Sequence, residues 1–161
     1  MATIEVLAFD WGTTVVGVLD VGNNVYTPYH CREEMIHGAE RIVSFQGTIV
    51  SFNGTGYDLI EISRLLGIPS VQNLKLRGLH DDMLIITSDI RWPPDPGTGS
   101  IKGPGLQATY RHYFDNDPIN PPSHLQDTFE AERREYLNNN WRDCYMTAEL
   151  WKKWKRGELK S

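Results

Sequence analysis

Apolar residues fall into short runs at strand period through the first half of the chain and into stripes at helical period toward its end. Ile4–Asp10 (IEVLAFD) is a nearly unbroken apolar run closed by an acid, the pattern of a buried strand. Thr13–Val21 (TTVVGVLDV) is β-branched and predicts a second strand. Gly22-Asn23-Asn24 is a hairpin turn signal, so Val25–Tyr29 should pair antiparallel with the second strand, and Pro28 confines that third strand to a sheet edge. Glu33–Phe45 (EEMIHGAERIVSF) predicts a short helix with acids in its first turn, although Gly38 weakens it. Thr48–Asn53 predicts a fourth strand and Met83–Thr87 (MLIIT) a fifth. Between them Asp58–Leu66 carries Leu59, Ile62, Leu65 and Leu66 along one side and is closed by Gly67 and Pro69, so it predicts a helix. Leu106–Phe114 also reads as helical. The clearest helix runs from about Leu125 to Lys155, where Leu137, Trp141, Cys144, Tyr145, Ala148 and Trp151 form one stripe. A meander of three strands followed by strands alternating with helices implies an α/β fold: a mixed five-stranded sheet, antiparallel and then parallel, covered by helices.

Composition narrows the class. The chain has 161 residues, enough for a single domain spanning 1–161 with one substantial core. Apolar residues make up 40% and charged residues 23%, ordinary values for a globular protein. No apolar run reaches the roughly 18 residues of a membrane span, and no basic-then-apolar leader opens the chain, so a cytoplasmic protein is expected. Cys31 and Cys144 form neither a CxxC pair nor a disulfide framework. A net charge of −5 argues against a sequence-independent nucleic-acid coat. It leaves room for a metal-dependent nuclease, whose carboxylates are balanced by bound cations.

Three acids sit where chemistry is favoured. Asp10 ends a buried strand within Phe9-Asp10-Trp11-Gly12-Thr13-Thr14, and a buried acid is costly unless it is hydrogen-bonded, paired or bound to a metal. Strand ends in α/β sheets are also where ligands bind. Asp58 follows a glycine turn in Phe52-Asn53-Gly54-Thr55-Gly56-Tyr57-Asp58, with Asn53 placed to order the turn. Asp143 lies at the edge of the last helix's apolar stripe, near Tyr136, Asn140 and Thr147. Each has a plain structural alternative: Asp10 as a turn cap, Asp58 as the N-cap of its helix, Asp143 as a surface acid.

Taken in order, these units resemble the DnaQ-like 3′–5′ exonucleases, which have a ribonuclease-H-like fold, and most closely the branch related to the proofreading domains of family B polymerases. Asn53 followed by Tyr57-Asp58 is similar to that family's second motif, and Asn140-Trp141-Arg142-Asp143 with Thr147 to its third. His80-x-Asp82 and Gly105-Leu106-Gln107-Ala108 resemble the intervening segments, so the likeness extends over about Ile4 to Lys155. The resemblance implies catalytic, metal-holding roles for Asp10, Asp58 and Asp143 around Mg²⁺ or Mn²⁺. It implies substrate contacts from Thr13, Asn53 and Tyr57, and a single-stranded nucleic acid 3′ end as the partner.

Two departures bear on activity. The family's first motif is Asp-x-Glu, and Gly12 stands in place of the Glu. A Tyr or His usually precedes the last acid by four or five residues, and here those positions hold Asn139 and Asn138. Both losses fall on the half of the reaction that activates water. Asp20, Glu33, Glu34, Asp81 and Asp82 are the acids available to compensate. Two alternatives follow: a non-catalytic nucleic-acid or protein interaction module on the same fold, and a resolvase-like endonuclease, in which Asp-x-Gly-Thr is normal.

Other features have bland readings. The basic end formed by Lys152, Lys153, Lys155, Arg156 and Lys160 complements the helix dipole as readily as it touches phosphate. Trp151, Trp154, Tyr110, His112, Tyr113 and Phe114 suit core packing as well as base stacking. Trp92–Gly105, with four prolines and four glycines, is an irregular loop of the kind often found beside a site.

Overall fold

The structure is a computed structural model, and residues 5–88 and 105–159 are described. Ile4, Lys160 and nearly all of the irregular Trp92–Gly105 loop lie outside those residues.

Five strands form one sheet in the order β3-β2-β1-β4-β5. β1 (Val6–Trp11), β2 (Val15–Asp20) and β3 (Val25–His30) make the expected antiparallel meander. β4 (Thr48–Ser51) and β5 (Leu79–Asp82) run parallel to β1. β3 is an edge strand, and Pro28 pairs there with Gly17.

Helices cover both faces, and the strand period decides which side chain goes where. Leu7, Phe9 and Trp11 of β1 join Val16, Val18 and Ile49 against α1 (Cys31–Ser44) and α2 (Leu59–Leu65), where Ile42 and Ile62 are fully buried. Val6 and Ala8 point the other way with Val15, Leu19 and Val50, toward α6 (Arg134–Lys155) and its Leu137, Trp141, Cys144 and Leu150. Asp10 is two residues beyond Ala8, so it too faces α6. α4 (Leu106–Phe114) packs on α6 and occupies the span its pattern predicts.

Gly38 belongs to α1 rather than interrupting it. A Cβ there would lie 2.6 Å from Val16 Cγ1 and 2.9 Å from the Tyr29 ring, so the missing side chain sets how closely α1 approaches the sheet. Gly38→Ala should therefore destabilise the protein by about 1–3 kcal/mol, because overpacking outweighs the roughly 1 kcal/mol gain in helix propensity. Urea denaturation of the two proteins measures this; a stabilised variant would mean the helix has room to give.

Three boundaries differ from the pattern. Met83–Thr87 is not the fifth strand: the strand is Leu79–Asp82, and Met83–Ile86 forms a helical turn, α3. The Asp82 carboxylate accepts the Leu84 N–H at 3.1 Å, and this cap overrides the β propensity of the apolar run. The fourth strand stops at Ser51 because Asn53 adopts a left-handed backbone (φ 66°) that opens a π-helical turn over Gly54–Asp58. The long C-terminal helix is not continuous from Leu125. α5 (Ser123–Gln126) ends, the chain passes Phe129 and a 3₁₀ turn over Ala131–Arg133, and α6 starts at Arg134. The interruption puts Phe129 edge-on against Tyr26, with ring centroids 6.1 Å apart, a buried contact that a straight helix would forfeit.

Candidate functional site

At the C-terminal end of β1 the backbone brings Asp10, Asp58 and Asp143 together from three remote segments. Asp10 comes from the strand, Asp58 from the π turn, and Asp143 from α6. Burial raises the pKa of all three, and each feels at least one of the others. Asp10 is pushed well above the carboxylate range, first by burial and then by the charges of Asp143 and Asp58. Asp58 rises to about 7 and Asp143 to about 6, again chiefly through burial. Asp10 and Asp143 also hydrogen-bond through their side chains, and that bond raises Asp10 and lowers Asp143. Close like charges of this kind titrate as a pair, and burial favours a proton held between them.

Asn140 positions Asp10. Its amide donates to Asp10 Oδ2 at 3.0 Å and to the Asp10 carbonyl at 3.3 Å, while its own oxygen accepts the Tyr26 hydroxyl at 2.6 Å. The space comes from Gly17, directly opposite Asp10 in the β1–β2 register; a Cβ there would overlap Asn140 Oδ1. Neither Gly17 nor Tyr26 stood out in the sequence. The signal for Gly17 was a glycine inside a β-branched strand, which marks a close approach by another group. Asn140 and Asp143 are three apart and share a helix face. Cys144 is fully buried beside the same acids, whose charges and its own burial raise its thiol pKa.

Asp58 stands at the N-cap position of α2, but its side chain does not cap the helix. Its Oδ2 instead accepts the Trp11 N–H at 3.1 Å. The turn before it is tied down by Asp82, whose carboxylate takes the N–H groups of Asn53 (2.8 Å) and Thr55 (3.0 Å) besides that of Leu84. Ser51 and His80 brace the same turn: Ser51 Oγ accepts from Gly54 N and meets His80 Nε2 at 2.7 Å. Ser51 is fully buried, so this Ser–His pair is scaffolding.

The remaining predicted residues divide. Thr13 is exposed and lines a cavity of about 620 Å³, and Asn53 and Tyr57 are exposed on the turn. The acids available to replace the missing Glu are engaged elsewhere. Asp20 holds Asn23 in the β2–β3 turn, Glu33 and Glu34 are exposed on α1, Asp81 accepts the Trp151 indole N–H, and Asp82 is committed as above. Asn138 donates to Gln126, and Asn139 accepts from Arg142. The basic end is locally satisfied: Lys152 pairs with Glu149, Arg156 with Glu158, and Lys155 lies over the Trp151 and Trp154 rings. Tyr110 is buried and stacked on Phe114.

As donors, three carboxylates repelling one another suit a hard divalent cation. Their arrangement fits less well. Among the described residues no three His, Cys, Asp or Glu side chains are disposed to hold a metal ion. Asp10 and Asp143 face each other, while Asp58 is turned back onto the Trp11 amide.

No protein-family model matches the chain, and no curated protein matches it in sequence. Among the described residues no helix is long and apolar enough to cross a membrane.

Proposed function

We propose that this chain is a metal-dependent 3′–5′ exonuclease-like protein of ribonuclease-H-like fold, acting on single-stranded nucleic acid ends. One observation carries the reading: Asp10, Asp58 and Asp143, spread over more than a hundred residues of sequence, perturb one another's ionisation at a single strand end. Arg142 is the one cation that eases Asp143, and buried acids that raise one another's pKa are a common mark of functional sites. A sheet of order β3-β2-β1-β4-β5, with a meander and then two parallel strands, supports the fold half of the reading.

Asp10 and Asp143 would hold Mg²⁺ or Mn²⁺, with Asn140 fixing the Asp10 carboxyl. A cation bound there supplies a polarised water and neutralises the oxygen that leaves. Thr13, Asn53 and Tyr57 line the approach for the strand. Gly12, Asn138 and Asn139 put no base beside the acids, so turnover should be slow.

A 5′-labelled single strand incubated with Mn²⁺ tests this. Stepwise shortening is expected, lowered by about 10²-fold or more in Asp10→Asn and in Asp143→Asn, in line with loss of an electrostatic catalytic group. No shortening by the wild type, or equal shortening by both variants, removes the enzymatic claim. Asn138 and Asn139 are engaged by Gln126 and Arg142 where the water-activating base would stand, which favours a second reading, a non-catalytic module that binds single strands with salt-dependent affinity. Activity in the wild type would refute it.

A further inference from the structure

A cavity of about 620 Å³ opens beside the carboxylates but includes none of them. Its wall is built from Trp11 at the end of β1 and Thr13 beyond it, His30 at the end of β3, and segments of α1, α2 and the approach to α6. Three guanidinium groups line it, from Arg32, Arg64 and Arg133, against one carboxylate, Glu61. Arg64 is paired with Glu61 at 2.8 Å and Arg133 with Glu130 at 3.5 Å, and three arginines against one lining acid still leave the wall net cationic in a chain of net charge −5. Burial and the Arg133 charge hold His30 below its ordinary pKa, so near neutral pH the positive charge comes from the arginines alone. The ring-bearing side is equally defined. Tyr136 lies edge-on to His30 with centroids 6.1 Å apart, its hydroxyl 3.3 Å from His30 Nδ1, and both line the cavity with Trp11.

We propose that this cavity binds a nucleoside monophosphate, its phosphate held by Arg32, Arg64 and Arg133 and its base against the Trp11, His30 and Tyr136 wall. Guanidinium forks match the oxygens of a phosphate, aromatic faces accept any base, and the volume falls within the range of small-ligand sites. The arginines belong to none of the three acid-bearing segments, and binding requires no cleavage. The proposal therefore stands apart from the hydrolytic reading.

Cys31 supplies the readout. Its thiol is exposed on the cavity wall, whereas Cys144 is fully buried, so a chromogenic disulfide reagent titrates Cys31 in the native protein. The probes are adenosine 5′-monophosphate, uridine 5′-monophosphate, adenosine and inorganic phosphate, all with chelator present. Both monophosphates should slow the reaction saturably, by about tenfold where the site is mostly filled, as mass action at about ten times Kd requires. The Arg32→Gln/Arg133→Gln variant, checked for native circular dichroism, should need about 100-fold more ligand, since each lost charge-assisted hydrogen bond is worth about one decade of affinity or more. Absence of saturable protection, equal protection by adenosine, or unchanged protection in the double variant would overturn the assignment. Equal protection by inorganic phosphate would reduce the cavity to an anion site and overturn the nucleotide half. With metal chelated and no strand to cut, a failed exonuclease assay leaves this result standing, and absent protection leaves the exonuclease reading standing.

Discussion

Asp58→Asn should stabilise the protein at pH 8 by about 3 kcal/mol relative to wild type, raising Tm by about 6–12 °C, and should change it little at pH 4. The unfolded chain releases the Asp58 proton near the ordinary value of 3.8, whereas the folded chain keeps it to about 7. Between those values the native state binds the extra proton, so stability is complete below about pH 4, falls as pH rises, and levels off above about pH 7. Asp143, raised to about 6, and Asp10 act in the same direction. His30 and His80, both lowered by burial, act the opposite way and should mask part of the wild-type slope. The difference between wild type and variant cancels the histidines and isolates the acid. Asparagine keeps an oxygen for the Trp11 amide, so the scaffold bond survives. Thermal unfolding at pH 4, 6 and 8 with chelator gives the comparison. A variant less stable than wild type at pH 8 would mean that the Asp58 charge is compensated where it sits.

The second large effect belongs to Gly17. A methyl group there meets Asn140 Oδ1 and, at 2.8 Å, its Cγ, with the Tyr26 ring 3.0 Å away. These neighbours are a buried amide and a strand-anchored ring, so neither moves aside cheaply. Displacing Asn140 strips the Tyr26 hydroxyl and the Asp10 carboxyl of partners in a dry setting. Gly17→Ala should cost about 3–5 kcal/mol, combining overpacking with the loss of buried hydrogen bonds. Asn140→Ala leaves room for the methyl, so the double variant should be destabilised by clearly less than the sum of the singles. Additive costs in denaturant titrations would show that the two residues do not meet.

The first three strands were legible because IEVLAFD and TTVVGVLDV are apolar, β-branched runs of strand length, and because Pro28 and Gly22-Asn23-Asn24 fix an edge and a turn. Asp10 and Asp58 stood out as acids at the ends of apolar runs, and Asp143 as an acid at the edge of the α6 stripe. What escaped was decided by partners distant in sequence. Met83–Ile86 looked like a strand until Asp82 capped it, and the break before α6 exists because Phe129 finds Tyr26. The roles of Asn140 and Gly17 depend on a contact across 123 positions of chain that no local pattern records. The arginine-lined cavity was invisible for the same reason, since Arg32, Arg64 and Arg133 are unremarkable in their own helices and turns.

The docking of α6 onto β1 has a consequence for how the chain is made. The Asn140–Asp10 bond closes a loop of 130 residues, one of the most distant contacts in the fold. A nascent polypeptide emerging from the ribosome can form the meander early, while the first two acids remain hydrated at an open strand end. Dehydration of those acids then coincides with arrival of the final helix, so electrostatic strain is deferred to the last step of assembly. Cellular acidity would accordingly be felt in the rate of maturation.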